Sequence, residues 1–179
     1  MIRKRRFGVP QGRNPNLDLV DTSESLLKFV ADSDIETCPL DVRKVAEKLG
    51  ILVVDDPSLQ EEVSGILEKQ ENGEWTIRVN ANHHPNRQRY TIAHELGHYC
   101  LHRHQQVFFK DQIFFRGLER SKIEWQANTF AGEILMPEKQ FRDFLKEGIC
   151  DIDELAQTFQ VSSLALRIRA SELGFQVSD

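Results

Sequence analysis

A chain of 179 residues, 40% hydrophobic and 28% charged, can bury a core of its own, which excludes a disordered tract or a disulfide-dependent mini-domain. The formal net charge of −5 is unevenly spread. Arg3, Lys4, Arg5, Arg6 and Arg13 crowd a stretch without acids, so the rest of the chain is markedly acidic and a poor non-specific binder of polyanions. Cys38, Cys100 and Cys150 form no CxxC pair, and the basic start leads into Gly8, Pro10, Gly12 and Pro15 instead of an apolar run. No secretory signal and no membrane span are expected, and a reducing, cytoplasmic setting fits.

In chain order, residues 1–20 predict a loose, solvated basic arm. From Thr22 or Ser23, Leu26, Leu27 and Val30 share one helical face; Asp41 caps a second helix with Val42, Val45, Ala46 and Leu49 inward, ended by Gly50. Ile51–Val54 reads as a buried strand, and Val63–Leu67 and Trp75–Val79 read as a hairpin around Glu71-Asn72-Gly73. Pro85 opens a helix running to about His102. Residues 105–120, with Phe108, Phe109, Phe114 and Phe115, read as a long loop or a short ordered excursion. A helix follows from about Ser121 to Leu135, stopped by Pro137, then three short helices over 138–174. Helices, a small sheet, then helices make an α+β protein, with a small antiparallel or mixed three-stranded sheet packed on the helix that ends near His102.

That helix carries His94-Glu95-Leu96-Gly97-His98. Histidines at i and i+4 lie one turn apart on one face, so their imidazoles can converge on one ion, and zinc favours this donor. Glu95, about 100° around the helix, is placed to take a proton from water at the open metal position. A catalytic site needs one more protein ligand. No third histidine follows at the metzincin spacing, which leaves a carboxylate from another helix: Glu119, Glu124 or Glu133. Glu124 is favoured, because Ala127, Asn128 and Ala131 form a small-residue stripe beneath it that permits close helix approach. Glu119 precedes the helix, and Glu133 faces the other way.

Thr91-Ile92-Ala93-His94-Glu95-Leu96-Gly97-His98-Tyr99-Cys100-Leu101-His102 resembles the active-site helix of the ImmA/IrrE-type metallo-endopeptidases, a gluzincin-like family. Glu124-Trp125-Gln126-Ala127-Asn128-Thr129-Phe130-Ala131, running on to Ile134-Leu135-Met136-Pro137, is similar to the family's second block. The resemblance covers about residues 40–175. It implies a zinc cofactor held by His94, His98 and Glu124, with Glu95 as the base, and a zincin-like core over 21–137. It also implies a protein substrate, a helix-turn-helix transcriptional repressor, whose cleavage lifts repression in stress or of a mobile element. Some relatives are held to be the toxin of a toxin–antitoxin pair. Cys100, where an aliphatic residue is more usual, and the Phe-rich stretch depart from the family pattern.

Tyr90, Tyr99, His102 and His104 are candidate donors to the developing oxyanion. His102, four residues beyond His98, is the foremost of them as a catalytic residue and reads equally as a helix-end histidine. His83 and His84 read as turn residues and Cys100 as core. Trp75–Asn80 and Val63–Leu67 are candidate sheet edges for holding an extended substrate. The Phe108–Phe115 stretch is an apolar subsite, a lid or a satellite core cluster. In the C-terminal segment, 138–179, Asp151-Ile152-Asp153-Glu154 starts a helix and Ser162 caps another, a helix-turn-helix-like pattern. Arg167 and Arg169 lie on the second helix, but acids outnumber bases across the segment. A structural or substrate-docking role is therefore expected ahead of direct DNA binding. The expected activity is zinc-dependent hydrolysis of a peptide bond in a protein. The alternative is a non-catalytic regulator that binds a repressor or DNA, for which Glu95 would be superfluous.

Overall fold

The computed structural model describes residues 20–112 and 118–176, with backbone alone for 110–112 and 118–121. The expected basic residues of the arm, and Phe114 and Phe115, lie outside the described residues, as does the side chain of Glu119.

Helix α1 (Ser23–Ala31) starts at a reciprocal cap between Thr22 and Ser25 and buries Leu26 and Val30. Asp41 caps α2 (Val42–Lys48) by accepting from the Lys44 amide. Gly50, at φ +74, then turns the chain into β1 (Ile51–Asp56), in a left-handed conformation that costs any other residue more. Strands β2 (Val63–Lys69) and β3 (Trp75–Asn80) pair antiparallel about a turn that needs Gly73 at φ +86. β1 pairs parallel with β3. The long helix α3 (Pro85–His102) follows, with the His84 ring accepting from the Asn86 amide at its N-terminus.

The chain then forms β4 (Phe108–Gln112), antiparallel to β2, so the sheet is mixed and four-stranded in the order β1-β3-β2-β4. The α+β fold with a mixed sheet is as expected, but the sheet has a fourth strand: β4 lies in 105–120, which was read as a long loop or a short ordered excursion. Its pairing is with a strand some forty positions earlier, and Phe108-Phe109-Lys110-Asp111-Gln112 shows no sustained alternation. The same topology corrects the expected edges. Trp75–Asn80 and Val63–Leu67 are both interior strands, because the parallel partner β1 and the late partner β4 occupy their outer sides. Among the described residues, the edges are β1 and β4.

Leu67, Ile77 and Val79 face α3 from the sheet, all fully buried. Helix α4 (Leu118–Leu135) covers the opposite side of α3, which is therefore buried continuously from Thr91 to Cys100. The close approach of these two helices has a cause in both. A Cβ on Gly97 would stand 3.1 Å from both the Cα and the carbonyl oxygen of Ala127 and 3.2 Å from the Phe130 Cβ. These are backbone-fixed neighbours that cannot swing aside. Gly97 and Ala127 together let the helix axes come near.

Helices α5 (Glu138–Lys146), α6 (Ile152–Phe159) and α7 (Ser163–Glu172) complete the chain. Asp151 caps α6, Ser162 caps α7, and Gln160 between them takes a left-handed φ of 52. The α6–α7 turn is fastened to α3. Asn86 Nδ2 donates to the Val161 carbonyl at 3.2 Å, and Arg89 donates to the carbonyls of Leu40 at 3.0 Å and Gln160 at 3.3 Å. Among the described residues, no helix is long and apolar enough to cross a membrane.

Candidate metal centre

His94 and His98, one turn apart on α3, turn their Nε2 atoms towards each other at 3.0 Å. Glu124, from α4, brings Oε2 to 3.1 Å from His94 Nε2 and 3.4 Å from His98 Nε2. Ligands about 2.0–2.1 Å from a tetrahedral zinc stand roughly 3.3 Å apart, so this triangle has the edge lengths of one face of such a tetrahedron. Three lone-pair-bearing atoms converging in this way repel one another unless a cation or a proton lies between them. The donor set fits a divalent ion. The histidine side chains are 4% and 1% exposed and Glu124 is 36% exposed, so the cluster is walled by protein on the imidazole side and open to solvent beside the carboxylate. Burial alone would raise the Glu124 carboxyl. The hydrogen bonds and charge of His94 and His98 outweigh burial and hold it well below the usual carboxylate range.

The rings are held from behind. His94 Nδ1 lies 3.0 Å from Asn128 Oδ1, so it donates to that oxygen and leaves Nε2 as the bare face. Asn128 stands four residues after Glu124, on the same side of α4, and Tyr90 Oη donates to the same oxygen at 3.4 Å. The His98 ring stacks on Phe109 of β4, with centroids 4.7 Å apart and planes 16° apart. The Phe-rich stretch thus contributes a wall of this site through Phe109, while Phe108 is exposed.

Glu95 is fully buried, with its carboxylate against β2. A Cβ on Gly65 would stand 2.9 Å from Glu95 Oε1 and 2.5 Å from the Thr91 methyl. Gly65 is where the β2–β4 register shifts, so β2 yields at the point where the carboxylate needs room. Gly65→Ala is expected to cost about 1–3 kcal/mol of stability, measured by urea unfolding, and to displace Glu95.

His102 is buried at the end of α3, its ring 5.7 Å from that of His98 and 6.3 Å from Phe109. It is outside the three-donor cluster, and burial, then the His98 charge, lower its pKa. Tyr99 is elsewhere: its ring meets Trp75 edge-on at 5.5 Å, under the Arg103 guanidinium. His104 is exposed past the helix end. His83 Nε2 lies 2.9 Å from the Glu61 carbonyl and ties down the loop before β2. Burial pushes the Cys100 thiol up to about 12, an inert core group. Glu133 accepts from Ser23 Oγ and joins α4 to α1, away from the cluster.

The sequence reading missed Asn128 as an orienting group, Gly65 and Gly97, and it named Phe109 only as part of an apolar stretch, without its stacking on His98. The i, i+4 relation of Glu124 and Asn128, and the glycine inside His94–His98, were available signals. The places of Gly65 and Phe109 depend on strand pairing that no local pattern encodes.

Comparison with known proteins places this geometry in a context. The profile of the family described as IrrE N-terminal-like domain, Peptidase_M78, matches residues 46–171. A Bacillus subtilis (strain 168) protein named Metallopeptidase ImmA is 28% identical over 116 residues, covering 63% of this chain and 66% of that protein. A Bacillus phage phi105 protein named Uncharacterized immunity region protein 2 is 32% identical over 82 residues, 45% of this chain and 49% of that one. The solved structure of a Mycobacterium tuberculosis transcriptional regulator shares the fold, with a TM-score of 0.62 at 20% identity, over 88% of this chain and 52% of that one. The chain thus spans between about half and two thirds of these relatives.

Proposed function

Because the chain belongs to the IrrE N-terminal-like domain family, Peptidase_M78, we propose that it is a zinc-dependent endopeptidase cleaving a protein target, with His94, His98 and Glu124 as metal ligands and Glu95 as general base. Membership, and a relative named a metallopeptidase, support peptidase chemistry. The observation that carries the finer reading is the three-donor face of 3.0, 3.1 and 3.4 Å, with the fully buried Glu95 next to His94 in the chain. Burying a carboxylate is costly, and a purely binding role would not need one there.

A zinc ion in this cluster supplies Lewis acidity. The chain's own groups do the rest. Asn128 holds His94 in one tautomer, and Phe109 fixes the plane of His98. Glu95 takes the proton of the attacking water and hands it to the leaving amine nitrogen. His102, whose pKa burial lowers, stands beside His98 with ring centroids 5.7 Å apart. Strand β4, tied to the cluster through Phe109 and an edge among the described residues, offers its outer side to an extended substrate. The target favoured is a helix-turn-helix repressor, a reading supported by the immunity-region name of the phage relative. Direct DNA binding is disfavoured. Arg169 is buried, donating to the Met136 carbonyl and pairing with Glu172, and α7 presents Leu164 and Ile168 outward.

Chelation is expected to abolish cleavage and added zinc to restore it; cleavage that persists in metal-free protein would overturn the reading. Asn128→Ala is expected to weaken zinc binding about 10–100-fold, read by competition with a chromophoric chelator.

A further inference from the structure

Two packing contacts fix how α3 is turned. At Gly97 it meets α4, where an added Cβ would stand 3.1 Å from the Ala127 backbone. At Thr91 and Glu95 it meets β2, where a Cβ on Gly65 would crowd both side chains. At about 100° per residue, one line of side chains runs between these two walls: Arg87, His94 and His98 lie within about 20° of it. This line is the floor of a trough with β2 on one side and α4 on the other. The metal cluster occupies it at His94 and His98. Arg87 stands two turns before them, about 10 Å along the helix axis.

Arg87 is solvent-exposed, yet its guanidinium is held in place. Nη2 donates to Ser64 Oγ at 3.1 Å, and Ser64 is 6% exposed. Ser64 lies at the register shift of β2 against β4, between Val63 and Gly65. In a regular pleat Ser64 and Gly65 would address opposite faces of the sheet. The irregularity lets both address α3, Gly65 at Glu95 and Ser64 at Arg87. One local fault in β2 thus serves both the buried carboxylate and the arginine. Among the described residues the guanidinium has this one hydrogen-bond partner and no ion pair. It carries five N–H donors in a planar fork, so most of them are open to a guest, and the fork matches a carboxylate bidentately.

We propose that Arg87 is a specificity-determining residue that binds an acidic side chain of the polypeptide substrate about three residues from the scissile bond. The spacing follows from about 10 Å of helix axis spanned by an extended chain at about 3.3 Å per residue. The chain beyond its basic start is markedly acidic, so its overall field repels acidic peptides and a preference for one reports a local cation. Naming the guest as substrate rests on the peptidase reading above; the preference for a carboxylate beside the metal does not.

The probe is a degenerate peptide library incubated with zinc-loaded protein, its cut sites read by mass spectrometry. Asp and Glu are expected to be enriched about three positions from the cut on one side. A cleaved peptide whose acid is replaced by the matching amide is expected to lose at least about tenfold in kcat/KM, mainly through KM, as a charge-assisted hydrogen-bonded pair is lost. Arg87→Ala is expected to erase the preference for acid over amide, Arg87→Glu to turn it towards Lys, and Ser64→Ala to narrow it. If Arg87 merely ties α3 to β2, these variants lose stability and leave the acid-to-amide ratio untouched, since a ratio does not depend on the fraction folded; that result would overturn the proposal. So would the absence of any acid preference in the wild type, a comparison that needs no variant. The second probe is a set of fluorescent peptide hydroxamates, with the zinc-binding group at either end and Asp, Asn or Lys about three residues from it, read by anisotropy. Binding of the Asp peptide at least about tenfold tighter than the Asn peptide, lost in Arg87→Ala, is expected. Equal affinity, or no binding to zinc-loaded protein, would overturn the subsite. Acid-selective hydroxamate binding without cleavage of any library peptide would sink the peptidase reading and leave the subsite standing; cleavage without acid preference would do the reverse.

Discussion

Glu95→Gln is expected to lower cleavage about 10²–10⁴-fold, the range for losing a positioned general base, while zinc binds with unchanged stoichiometry. The substitution is isosteric, and Glu95 is fully buried against the Gly65 backbone, so packing is preserved. Removing a buried charge also removes its desolvation cost, so the variant's melting temperature is expected to be no lower than that of the wild type. Activity falling while stability holds or rises is a signature that a structural role for Glu95 does not produce. A variant that cleaves as fast as wild type would remove Glu95 from the mechanism.

Glu124→Ala is expected to weaken zinc binding by more than about 100-fold, beyond the 10–100-fold typical of an orienting partner, because it leaves two protein donors where three are needed. Glu133→Ala, on the same helix, is the matched control. It breaks the tie to Ser23 and loosens α1, and it is expected to leave metal affinity unchanged. Since the Glu124 carboxyl is held below the usual range by His94 and His98, the acid limit of metal binding is set by the histidines. Affinity is expected to fall with acid as the imidazoles take up protons, with the Glu124 carboxyl the last of the three donors to be lost. Competition titrations across pH, with the two alanine variants alongside, check both points. Equal loss in Glu124→Ala and Glu133→Ala would mean that the effect is helix disruption.

What could be read in advance had a local cause. His94, Glu95 and His98 are related by one helical turn, and helical period is visible in a string of letters. Glu124 was reachable because Ala127 and Ala131 announce a helix face built for close approach; the structure adds Gly97 as the matching surface on α3. Caps at Thr22, Asp41, Asp151 and Ser162 were similarly local. The fourth strand was not, because β4 joins β2 across the whole of α3 and has no pattern of its own. From that omission came the misreading of Val63–Leu67 as an edge. The parallel pairing of β1 with β3 compounded it, since consecutive strands usually lie side by side and here the hairpin is inserted with its second strand inward. The room that Gly65 makes for Glu95 and the stacking of Phe109 on His98 exist only once the sheet is assembled. The exposed Leu164–Ile168 ridge was not legible in the helix-turn-helix pattern. The pattern describes how two helices pack, and function depends on what the second one presents outward.

The most direct test is anomalous diffraction at the zinc edge from crystals grown with zinc. One peak is predicted, about 2.0–2.2 Å from His94 Nε2, His98 Nε2 and Glu124 Oε2 together. A stoichiometric peak on any other set of residues, or protein that takes up no metal while these three side chains are intact, would contradict the account.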